Sequence, residues 1–112
     1  MILHLTRDSV AAGDDVDAPH TQQFVVPDQL SLAEVLQWVL ARRYLASVAG
    51  GRATWSVEAA RPLAVVAQQW PQARLLPGLT PADLARTDNQ LTLHFRYHQQ
   101  LDPEAVYAAL TW

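Results

Sequence analysis

The chain has 112 residues, of which 50% are apolar and 17% are charged, and its net charge is −3. This composition is too apolar for a disordered chain, and the length fits a single domain over residues 1–112. Because the chain has no cysteine, disulfides, thiolate catalysis and cysteine-bound zinc or iron–sulfur clusters are excluded.

The net charge, the first residues and the lengths of the apolar stretches predict the location of the protein and the partners it does not bind. Its net acidity argues against a nucleic-acid partner, which usually requires a basic face. Residues 1–5 are followed at once by Arg7 and Asp8, without the apolar region of a secretory signal. The apolar stretches are far shorter than the ~20 residues of a membrane span. We therefore expect a cytoplasmic protein that binds neither nucleic acid nor membrane.

Five segments have the composition or alternation of strands. Leu91 to His98 is the clearest, because Leu91, Leu93 and Phe95 alternate with polar residues, as in a half-buried antiparallel strand. The apolar run from Leu63 to Ala67 fits a strand buried on both faces. The other three predicted strands are residues 1–10, 21–26 and 53–58.

The best-supported helix spans Ser31 to Tyr44. Ser31 and Glu34 have the spacing of a capping box, in which each side chain binds the backbone N–H of the other. The apolar residues that follow recur at helical spacing and form one stripe. A short helix is predicted to begin at Thr80, and a C-terminal helix follows Asp102.

The element order predicts an α+β fold. A mainly antiparallel sheet of about five strands would pack against the main helix, and the initial strand–strand–helix order resembles the β-grasp arrangement. Another small α+β sandwich with helices on one face is the alternative. A free sheet edge would also be able to support a homodimer.

The first candidate site is the loop between the first two predicted strands, which contains Asp14, Asp15, Asp17 and His20. These side chains can ligate Mg²⁺, Mn²⁺ or Ca²⁺, but the spacing is not that of an EF-hand. A solvated hairpin loop is the simplest interpretation. The third interpretation, besides a metal site and a solvated loop, is an acidic loop that fits a basic pocket on a partner protein. We expect partner binding here, with no metal and no cofactor.

Two further features can serve a function. Trp38 lies about 100–200° from the centre of the helix's apolar stripe, where it can anchor an interface or pack under a neighbouring loop. His94, Arg96 and His98 share the polar side of the last strand. They can perform acid/base chemistry on a phosphodiester, as a small hydrolase or nuclease would, although any solvent-facing strand carries such a row.

Several stretches resemble small bacterial proteins, some of which serve as immunity partners to interbacterial toxins. The stretches are residues 7–10, 13–20, 50–55 and 64–70. The resemblance implies a tight, non-catalytic association with another protein, such as a toxin catalytic domain with a basic surface. It assigns no residue a role.

Overall fold

Six strands form one sheet in the computed structural model, which describes residues 1–80, 83 and 88–111. The strands are β1 (Ile2–Arg7), β2 (Gln22–Val25), β3 (Thr54–Glu58), β4 (Pro62–Ala67), β5 (Arg74–Leu75) and β6 (Gln90–Tyr97). Their spatial order is β2-β1-β6-β3-β4-β5. The predicted α+β class is therefore confirmed, with one strand more than expected.

β1 and β6 pair in parallel inside the sheet, and every other pairing in the described residues is antiparallel. The parallel pairing joins the β1–β2 hairpin to β6, and the β3–β4 hairpin lies on the other side of β6. This arrangement agrees with the β-grasp-like order predicted from the sequence. β5, the additional strand, has two residues and lies in a segment with no strand pattern.

The main helix, α1 (Leu32–Ala41), begins at the predicted capping box. The Ser31 hydroxyl accepts the Glu34 N–H at 3.2 Å, and the Glu34 carboxylate accepts the Ser31 N–H at 3.1 Å. The helix ends three residues before Tyr44, because Arg43 adopts a left-handed φ of 54° that stops the helix. The second helix, α2 (Pro103–Leu110), follows the Asp102 cap as predicted.

The core lies between α1 and one face of the sheet. Side chains from β1, β3 and β6 that point toward α1 are almost fully buried, including Leu5, Trp55 and Phe95. On the opposite face, α2 contacts β3 and β4, whereas β2, β1 and the neighbouring part of β6 carry exposed or half-buried polar side chains. We call this uncovered part the open face.

One sequence expectation concerns a segment that lies mostly outside the described residues. The short helix predicted to begin at Thr80 falls largely outside the described residues. Of the helices that are described, none has the length and apolar character needed to cross a membrane.

Candidate functional site

The loop between β1 and β2 is folded back on itself. Residues Ala12–Asp17 form a 3-10 helix. Backbone N–H groups close its turns: Asp14 donates to Ala11 at 2.9 Å, Ala18 donates to Asp15 at 3.1 Å, and His20 donates to Asp17 at 2.7 Å. The segment therefore presents its side chains in defined directions.

Asp14 points back toward the sheet. Its carboxylate accepts hydrogen bonds from Arg7 at 2.8 and 3.2 Å and from the Val10 N–H at 3.0 Å. Arg7 on β1 is only 8% exposed, so Asp14 compensates a nearly buried charge. The hydrogen bond from Arg7, followed by that from Val10, lowers the pKa of Asp14 to about 2. Asp14 is thus held within the molecule.

His20 is also engaged within the fold. Its Nε2 lies 3.3 Å from the Ser9 hydroxyl and 3.5 Å from Asp14 Oδ2. The Tyr44 hydroxyl, from the segment after α1, donates to the His20 carbonyl at 2.5 Å. Partial burial raises the pKa of Tyr44 to about 12, so the hydroxyl stays protonated and able to donate. Tyr44 therefore ties the end of the loop to the helical side of the sheet.

The remaining predicted residues of the loop point outward. Asp15 and Asp17 are exposed, and Val16 between them is 85% exposed. We call Asp15, Val16 and Asp17 the acidic tip. Arg7 pairs with Asp14, whereas neither carboxylate of the tip forms an ion pair with a residue that the structure describes. An exposed aliphatic side chain between two carboxylates combines a charged and an apolar contact at one point.

The structure does not assemble the loop into a metal site. Among the described residues, no group of three or more histidine, aspartate or glutamate side chains is placed to hold a metal ion. Asp14 makes its contacts with Arg7, while Asp15 and Asp17 are directed to solvent.

Trp38 is half-buried rather than free. Its ring packs edge-on against Phe24 of β2, with ring centroids 4.8 Å apart, and the Arg42 guanidinium stacks over it at 3.4 Å. These contacts place Trp38 at the edge of the sheet formed by β2. It does not adjoin the acidic tip in any contact that the structure gives.

His94 belongs to a hydrogen-bonded chain on the open face. Parallel pairing of β1 and β6 puts Thr6 beside His94. The Thr6 hydroxyl lies 2.7 Å from His94 Nδ1, and His94 Nε2 lies 2.9 Å from Asp8 Oδ1. Since a carboxylate only accepts, this network assigns the Nε2–H tautomer to a neutral His94, with Nδ1 accepting from Thr6. The Asp8 carboxylate also accepts the Tyr97 N–H at 2.9 Å.

The other two residues predicted with His94 have separate partners. Arg96 donates to Glu58 at 3.1 Å across the β3–β6 pairing. His98 Nε2 lies 2.7 Å from the hydroxyl of Ser56, which is buried. Burial, and then the positive charge of Arg96, lowers the pKa of His98 and so favours its neutral form. The three residues share the predicted face, but no hydrogen bond or ion pair given by the structure joins them.

A depression of about 450 Å³ adjoins His94 on the open face. Its lining includes Glu58, Asp88, Gln90 and Thr92. On the neighbouring strand β1, the Nε2 atom of His4 lies 2.7 Å from the side-chain oxygen of Gln90. The depression therefore has a mixed polar and apolar lining, and its Glu58, Gln90 and His94 side chains already have partners.

Several residues that shape the β1–β2 loop and the surroundings of His94 were not predicted from the sequence. Thr6 and Asp8 were not predicted to join His94, and Arg7 was not predicted to hold Asp14. Val16 was the one of these residues that the sequence could have indicated, because an aliphatic residue between two aspartates is unusual in a purely solvated loop. In comparisons of the chain with protein-family models, curated proteins and solved structures, nothing matches.

Proposed function

We propose that this chain is a protein-binding module whose contact surface centres on the acidic tip. The observation that supports the proposal most strongly is the division of the three aspartates. Asp14 is bound to Arg7, whereas Asp15 and Asp17 flank a valine that is 85% exposed. A rigid loop that holds an apolar side chain and two carboxylates in solvent suits a basic partner surface with a small apolar recess.

The anchoring of the loop supports binding for an entropic reason. A mobile loop loses conformational freedom when it docks, and that loss reduces its affinity. Here Arg7 holds one part of the loop and Tyr44 holds another. In the proposal, Asp14 and His20 position the loop, and the acidic tip makes the contact.

The partner class we favour is a protein with a basic surface, and the resemblance to immunity proteins points to a toxin catalytic domain. Two exposed carboxylates would steer such a partner toward the tip, and the exposed valine would be desolvated on docking. The proposal places the protein in the cytoplasm, where a chain without cysteine suits a reducing environment.

Co-purification from the native host tests the proposal. The tagged chain should retain a basic protein, and the double variant Asp15→Asn with Asp17→Asn should lose most of it. Asp88→Asn is the control, because it makes the same aspartate-to-asparagine change at an exposed position outside the acidic tip. Asparagine tolerates the left-handed φ of 53° at this position. Capture of the same protein in equal amounts by all variants would remove the acidic tip from the interface.

A second candidate function rests on the chain of Thr6, His94 and Asp8. A hydroxyl, an imidazole and a carboxylate in this order are the groups of a nucleophilic hydrolase, in which the imidazole takes the hydroxyl proton. We rank it lower because Thr6 lies within β1, between two paired strands. The neighbouring backbone amides then serve the sheet instead of converging as oxyanion donors.

Hydrolysis of p-nitrophenyl esters and of bis-p-nitrophenyl phosphate tests this second candidate. Thr6→Val and His94→Gln should each abolish turnover if the chain is catalytic, and Thr92→Val is a control on the same strand face. A rate equal to the buffer background for the wild-type protein would rule out hydrolysis of these two substrate classes.

A further inference from the structure

The strand β2 forms one edge of the sheet, and its outer side has backbone groups available for pairing. The N–H and C=O groups of Met1 and Val26 bond to each other, which makes this a hydrogen-bonded pair of the β1–β2 ladder. Alternation along an antiparallel ladder then directs the backbone groups of Val25 and Gln23 away from β1. No strand within residues 1–80, 83 and 88–111 pairs with that side.

The composition of β2 does little to prevent association. Its four residues, Gln22–Val25, carry no charge, and Val25 is 80% exposed. Natural edge strands are usually protected by lysine, by an inward-pointing charge or by a covering segment. The following Pro27 has no N–H, so it limits a new ladder to the length of β2 itself.

The sequence of this edge is complementary to itself about a two-fold axis. An antiparallel pairing centred on Phe24 places Gln23 opposite Val25 of a second copy, and Val25 opposite the second Gln23. All four outward backbone groups of each strand then bond with those of the other copy. The two Phe24 side chains become neighbours on the face that carries α1.

Helix α1 also lies close to this two-fold axis. Phe24 packs against Trp38 with ring centroids 4.8 Å apart, so an axis through Phe24 also passes near Trp38. Beside Trp38 lies a shallow, mostly apolar groove of about 400 Å³, whose lining includes Ala33 and Gln37. This groove would face its counterpart in the second copy.

The charges along α1 also match under this symmetry. The axis is perpendicular to the extended sheet, so the two α1 helices lie on one face and run antiparallel. Glu34 precedes Trp38 by four residues and Arg42 follows it by four, and both are exposed. Glu34 of each α1 helix therefore lies toward Arg42 of the other helix. This charge complementarity favours a second copy of this chain over an unrelated strand.

We infer that two copies of this chain associate through the outer edges of β2, with Trp38 and its groove at the centre of the helical side. The two six-stranded sheets become one continuous sheet. This inference is independent of the proposed partner binding, because the acidic tip does not belong to the edge.

Sedimentation velocity of the full chain over a dilution series tests the inference. The wild-type protein should sediment as a dimer that dissociates on dilution. Val25→Pro removes an outward N–H that makes no bond to β1, so the fold should persist while the protein becomes monomeric at every concentration. Val25→Thr keeps the N–H and the branched side chain, and it should remain dimeric. Circular dichroism should show the same secondary structure in all three proteins.

Amide hydrogen exchange provides a second readout that requires no variant. The N–H groups of Gln23 and Val25 should be protected at concentrations where the dimer forms and should exchange rapidly when it is diluted. A wild-type monomer throughout, a Val25→Pro protein that still dimerises, or a dimer with both amides unprotected would overturn the inference. Protection that appears only when another protein is added would assign the edge to a partner strand instead.

Discussion

Arg7 on β1 and Asp14 in the following 3-10 helix form a two-point ion pair, with N–O distances of 2.8 and 3.2 Å. The pair links the sheet to the loop that carries the acidic tip. Arg7 is 8% exposed, and its Nε is a buried atom for which the described residues provide no hydrogen-bond acceptor. Its charge therefore depends strongly on Asp14.

Asp14→Asn should lower the free energy of unfolding by about 1 to 2 kcal/mol. Loss of one member of a buried pair leaves the other charge poorly compensated, and the partial exposure of Asp14 reduces the effect. Urea unfolding followed by tryptophan fluorescence measures the change. Asp17→Asn in the same loop is the control and should shift the value by less than about 0.5 kcal/mol, as expected for an exposed side chain. Equal effects of the two variants would contradict the assigned role of Asp14.

The same pair predicts a change of stability in acid. The pKa of Asp14 falls from 3.8 to about 2 on folding, so its contribution is fully present above 3.8 and is lost as the pH falls toward 2. Thermal unfolding across this range should show a smaller loss in Asp14→Asn than in the wild type. Parallel curves for the two proteins would mean that another carboxyl group carries the acid sensitivity.

His98 predicts a second pH effect at milder pH. Because burial lowers its pKa, the unfolded chain takes up a proton near 6.5 before the folded protein does, and stability falls as the pH drops below that value. His98→Gln can still bond Ser56 but does not titrate, so this part of the loss should disappear. Thermal unfolding at a series of pH values checks it, and an unchanged slope in the variant would contradict it.

The capping box of α1 gives a prediction about local stability. Ser31→Ala should cost about 1 kcal/mol, because the Glu34 N–H loses its acceptor at the start of the helix. Ser47→Ala is the control, since Ser47 is exposed and lies outside the helices and strands. Chemical unfolding of both variants measures the difference, and equal stabilities would show that the box contributes little.

Local sequence patterns predicted the local elements well. The Ser31 and Glu34 spacing identified the start of α1, and the alternation after Leu91 identified both the strand β6 and its polar face. The two residues of β5 were missed because so short a strand has no periodicity. Its position depends on β4, which provides its partner.

The candidate sites were only partly predictable, because their geometry depends on distant pairings. Thr6 and His94 are 88 residues apart, and only the parallel register of β1 and β6 brings them together. The pattern of three aspartates indicated an acidic loop, but it did not show that Asp14 alone would turn toward Arg7. That choice depends on a buried guanidinium whose position is set by the sheet.

The most direct test of the acidic tip is the association rate of the co-purified partner, measured by biolayer interferometry at low and high salt. For the wild-type chain, the rate should fall steeply with added salt. In Asp15→Asn with Asp17→Asn, it should be about tenfold lower at low salt and nearly independent of salt. Asp88→Asn should behave like the wild type. An association rate and a salt dependence that are the same in the wild type and the double variant would contradict binding through the acidic tip.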